Sequence, residues 1–79
     1  MGIPARVSLG TMKLREQILT DLRELGKISD GAEAKAIAGA VEAVQAGEFD
    51  SDIDELAQSP ASVSESSDLI LSLYKMRKS

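Results

Sequence analysis

The chain has 79 residues, no cysteine, histidine or tryptophan, and a formal charge of −4 from nine basic and thirteen acidic side chains. Disulfide stapling and thiolate chemistry are excluded, and the commonest metal ligand and neutral-pH proton shuttle is missing. Hydrophobic residues make up 43% of the chain but aromatics only 3%; at this length a single core barely suffices, so one small domain over 1–79 is expected.

Residues 1–10, MGIPARVSLG, alternate Ile3, Ala5, Val7 and Leu9 with Pro4, Arg6 and Ser8. Period two predicts a short extended segment that has to pair with another chain, pair with the C-terminus or remain a tail. Thr11 is the candidate N-cap of a helix over about 11–25, closed by Gly26. Its apolar stripe is Leu14, Ile18, Leu22 and Leu25, widened by Leu19.

Asp30 and Glu33 have capping-box spacing, and Ala34, Ile37, Val41 and Val44 then mark one face of a helix over about 31–46. Gly39 is its weak point. Gly47 supplies the stop, with Phe49 placed to fold back as an apolar plug. Asp52 and Glu55 repeat the cap spacing ahead of a short helix, about 53–58, that buries Ile53 and Leu56 and ends before Pro60.

Residues 59–67 are Ser-rich and read as a flexible linker. Ser67 would cap a last element, about 68–77, with Leu69, Ile70, Leu73, Tyr74 and Met76 on one face. Helix is the reading here, with a strand over Leu69–Leu73 as the alternative. The fold class is mainly α: a small bundle of three to four helices behind a short extended N-terminal segment.

The central helix is rich in alanine. Burying an aliphatic side chain contributes roughly 1.5–3 kcal/mol, whereas ordering each residue costs about 1–2 kcal/mol of backbone entropy. Such a face calls for another surface, which the first helix, a second copy or a different protein could provide. Charge is uneven: residues 1–30 carry +1, 31–68 carry −8 and 69–79 carry +3. The acidic middle would attract a basic partner and repel nucleic-acid phosphates.

Asp50, Asp52 and Asp54 match the opening of a calcium loop, but its sixth and twelfth positions, which need Gly and Glu, hold Glu55 and Ala61. Nothing apolar in sequence surrounds these acids, and no nucleophile or phosphate loop accompanies them. No enzyme and no cofactor are expected. No apolar run is long enough for a bilayer and no basic-then-apolar leader opens the chain, so a cytoplasmic protein is expected.

The pattern Ile37…Val44-x-x-Gly47-Glu48-Phe49-x-x-Asp52-x-x-x-Leu56-Ala57 resembles the C-terminal half of the flagellar anti-sigma factor (FlgM) family. Val7-Ser8-Leu9 is similar to that family's segment upstream of its helices. Ser59 and Pro60 depart from the family, which has a hydrophobic residue there. The resemblance implies a mostly helical binder that wraps the flagellar sigma factor and blocks its use by RNA polymerase. Ile37, Val41, Val44, Phe49, Ile53 and Leu56 would be the contacts, and Leu69 and Leu73 of the last element could join them.

Arg6-Val7-Ser8-Leu9-Gly10 also looks like the N-terminal strand of ribbon-helix-helix antitoxins of the ParD kind, which pair two chains and read the DNA major groove from that strand. Arg6 and Ser8 would be the readers. The second helix begins later than in that family, and its first turn carries Asp30 and Glu33 near where phosphate would sit. The leading expectation is therefore an acidic regulator that binds and inhibits a partner, such as a sigma factor or toxin, offering a basic or apolar groove. A dimeric DNA-binding antitoxin is the alternative, and a helical interaction protein of a phage, secretion or assembly system is a third. Monomer and homodimer both remain open.

Overall fold

The computed structural model describes residues 9–78, which form four helices and no strand: α1 (Leu9–Lys27), α2 (Gly31–Gln45), α3 (Asp50–Ala57) and α4 (Val63–Lys78). The mainly α architecture is as the hydrophobic periodicity predicts. Of the extended segment expected over 1–10, residues 1–8 lie outside the described part, while Leu9 and Gly10 already belong to α1.

α1 buries Thr11, Leu14, Ile18, Leu19 and Leu22 along one face. Thr11 is inside the helix rather than capping it. It is 1% exposed, and its hydroxyl donates to Asp54 Oδ1 of α3 at 2.7 Å. Gly26 does not end the helix either. It sits where a Cβ would come within 3.5 Å of Ile37 Cγ2, so α1 and α2 stay close up to their connection. The Ser29 hydroxyl then donates at 2.8 Å to the Leu25 carbonyl, which also accepts from the Ile28 amide at 3.2 Å.

α2 begins after Asp30, whose backbone is extended as a cap should be, but the side chain makes no capping hydrogen bond. Glu33 does not reach back either, because Lys75 of α4 holds both its carboxylate oxygens at 3.0 and 3.1 Å. The helix ends as its glycine predicts. Gly47 has φ +87°, the Glu48 amide donates to the Ala43 carbonyl and the Gly47 amide to that of Val44, both at 3.1 Å. This double closure is the Schellman motif. It turns the chain so that Phe49 enters the core fully buried.

α3 starts three residues before the expected position, with Phe49 rather than Asp52 at the cap. Asp52 is drawn instead to Arg77 of α4, at 3.6 Å. α4 starts earlier still. Ser62 and Glu65 form a reciprocal capping box: the Glu65 amide donates to Ser62 Oγ at 3.1 Å and the Ser62 amide to Glu65 Oε1 at 2.9 Å. The expected linker over 59–67 therefore shrinks to the connection 58–62, and Ser67, expected as a cap, is buried inside the helix. Residues 69–73 are helical.

All four helices feed one core. It contains Leu14, Ile18, Leu19 and Leu22 from α1, and Ile37, Ala40, Ala43 and Val44 from α2. Phe49, Ile53, Ile70 and Leu71 complete it. The alanines make the thin face of α2 workable, since their small side chains let neighbouring helices approach closely enough to leave Ala40 unexposed.

Candidate partner-binding surface

Of the side chains expected to meet a partner, Ile37, Val44, Phe49 and Ile53 are closed into the core, none more than 2% exposed. In this conformation they support a surface rather than form one. Val41, Leu56 and Leu73 are half-buried against that core, and Leu69 is exposed. Arg6 and Ser8 lie outside the described residues.

Val41 belongs to an open furrow of about 460 Å³ between α1 and α2. Leu22 and Ile37, both core residues, form part of its floor, and Ala34, Ala38 and Val41 continue it outward. Arg23 and Lys27 stand on the α1 rim, Glu42 and Gln45 on the α2 rim. Lys27 pairs with Glu24 at 3.3 Å, while Arg23 and Glu42 have no ion pair among the described residues. The furrow therefore offers apolar contact with one free charge of each sign beside it.

A second cleft, of about 400 Å³, lies where Val63 meets α1 and carries Glu16, Asp21 and Glu24. Three of the four acids of α3 are engaged within the chain, and Glu55 is exposed. Arg15 lies 3.6 Å from Asp50, Arg77 takes Asp52 and Thr11 takes Asp54. Among the described residues no three potential metal ligands of the Asp, Glu, His or Cys types converge.

Two contacts that the periodicity did not reveal fasten α4 over the other flank of α2. Tyr74 lies across Gly39, whose missing side chain makes room for the ring. Arg77 stacks its guanidinium over Phe49, 4.4 Å from the ring centroid, and donates to the Glu48 carbonyl at 3.4 Å. A glycine inside an otherwise helical pattern is itself a sign of close approach, and Gly39 was that signal. Arg77 had none, since a terminal cation reads equally well as a match to the helix dipole.

Comparison with models of known protein families, with curated proteins and with solved structures gives no match. Among the described residues no helix is long and apolar enough to cross a membrane.

Proposed function

We propose that this chain is a small acidic regulator that binds a partner protein and inhibits it by occupying its surface. The observation that carries the reading is the α1–α2 furrow. Its floor is continuous with the core, Ala38 is exposed and Val41 half-buried on its outer side, and its rim charges Arg23 and Glu42 are unengaged. An amphipathic helix of a partner fits such a feature, burying apolar side chains on the floor and pairing with the rim.

The choice of partner rests on the pattern from Ile37 to Ala57, which is similar to the flagellar anti-sigma factors. The proposed target is the flagellar sigma factor, held away from RNA polymerase. The acidic cleft beside Val63 and the −8 charge over residues 31–68 add attraction for a basic partner. Gel filtration and calorimetry with purified flagellar sigma factor test the proposal. A complex at micromolar concentration is expected, weakened at least about tenfold by Val41→Glu, and absence of any complex discards the sigma assignment.

A further inference from the structure

We propose that the α1–α2 furrow ends in a carboxylate-binding hollow, and that the partner helix seated in the furrow places an aspartate or glutamate there. The proposal rests on the reading that the chain acts by binding a protein, and it names the chemistry that orients that protein. At its Arg23 and Gln45 end the furrow runs on into a polar hollow of about 300 Å³, where these two residues are joined by Arg15, Glu16 and Leu19. Leu19 is a core residue, so the polar groups stand around an apolar base. The lining comes from α1 and α2 alone, and neither α3 nor α4 contributes to it.

Three side chains around the hollow carry N–H groups, and the fold uses few of them. Arg23 and Gln45 are exposed, and among the described residues Arg23 has no ion pair and the Gln45 amide no hydrogen bond. Arg15 stands 3.6 Å from Asp50 through one nitrogen, too far for a hydrogen bond. The remaining N–H groups of its fork are uncommitted. Arg15 and Arg23 are separated by about 12 Å of helix, a span that two arginine side chains close from either side of one carboxylate. Guanidinium pairs with carboxylates more strongly and more directionally than neutral donors do.

Charge selects an acid as the occupant. α1 sorts its charges between its two flanks: Arg15, Arg23 and Lys27 face the furrow and its hollow, while Asp21 and Glu24 face the cleft beside Val63. Glu16 stands on the crest between and lines both clefts. It is exposed, so solvent screens its repulsion of a carboxylate held by two arginines. On a chain of net charge −4, the cationic flank is where an acidic side chain is drawn in. A partner with a positive net charge satisfies both flanks only when its acid faces Arg15 and Arg23, which fixes which way round it lies.

The test uses the full isotope-labelled chain and, as probes, two synthetic amphipathic helical peptides with the same leucine stripe. They differ at one position on the edge of the stripe near one end, glutamate in one and glutamine in the other. The glutamate peptide should bind on the order of tenfold more tightly, against the net charge of the chain, and shift the side-chain Nε–H signals of Arg15 and Arg23. Arg23→Gln, which breaks no ion pair in the chain, should abolish the preference. Arg15→Gln, checked for retained helicity, should reduce it. The proposal is overturned if the parent chain binds both peptides alike, or if the preference survives both substitutions. It is also overturned if inorganic phosphate saturates the two arginines at lower concentration than the glutamate peptide, which would make a free anion the occupant. Equal binding of the two peptides strikes the carboxylate site and leaves the furrow standing, whereas binding of neither removes the furrow as a docking surface and the proposal with it.

Discussion

The hydroxyl of Tyr74 occupies the place that a Cβ on Gly39 would need. A residue that weakens the middle of α2 by helix propensity is thereby the seat for the C-terminal half of α4. Gly39→Ala should gain about 1 kcal/mol in propensity and lose more than that to overlap with the ring, for a net destabilisation of about 1–3 kcal/mol. In a Tyr74→Ala background the same change should become stabilising. Urea denaturation of the four chains of this cycle measures the reversal of sign.

Val41 and Val44 stand one turn apart on α2 and have opposite roles. Val44 is fully buried, whereas Val41 reaches the furrow. Val44→Glu should abolish cooperative unfolding, because an unpaired carboxylate in the core costs several kcal/mol. Val41→Glu, at a half-buried position, should keep helicity and cooperative unfolding with a loss of only about 1 kcal/mol, while weakening partner binding. Circular dichroism paired with a binding isotherm separates the two.

Thr11 joins the start of α1 to α3 through its 2.7 Å hydrogen bond to Asp54. Thr11→Val keeps the shape and removes the donor. The expected loss is about 1–2 kcal/mol, as for a partly buried hydrogen bond to a charged group. Equal stability of the two chains in guanidinium denaturation would show that the bond contributes nothing.

Ser62→Ala breaks the capping box at the head of α4 and should cost about 1 kcal/mol. Exchange of the amides just inside the cap should accelerate, with little change at the centre of α2. Uniform acceleration throughout the chain would instead mean that α4 cannot loosen without the whole fold.

Long-range choice separates what could be read from sequence from what could not. The stripe Leu14, Ile18, Leu22 and the stop at Gly47 are set by neighbours a few residues away, and both stand as expected. Caps were less legible, because several Ser, Thr and Asp residues compete for the role and tertiary partners decide among them. Asp54 takes the Thr11 hydroxyl, Arg77 pairs with Asp52 and Lys75 holds Glu33, while Ser62 alone forms the reciprocal pair with its downstream Glu65.

For the candidate site, the alanine face of α2 reads in the sequence as calling for another surface, from the first helix, a second copy or a different protein. The chain's own helices supply most of it. Ala40 and Ala43 join the core, and Gly39 admits Tyr74 of the chain's own α4. The more open part is shifted around the helix to exposed Ala38 and half-buried Val41, and a single apolar period cannot say which flank a later element will cover.

The central claim, that the α1–α2 furrow seats a protein partner, is tested most directly by titrating the isotope-labelled chain with purified flagellar sigma factor and following its amide spectrum. The account predicts saturable shifts at Arg23, Ala38, Val41 and Glu42 at micromolar concentration. A spectrum that stays unchanged, or shifts that leave all four of these residues untouched, would contradict it.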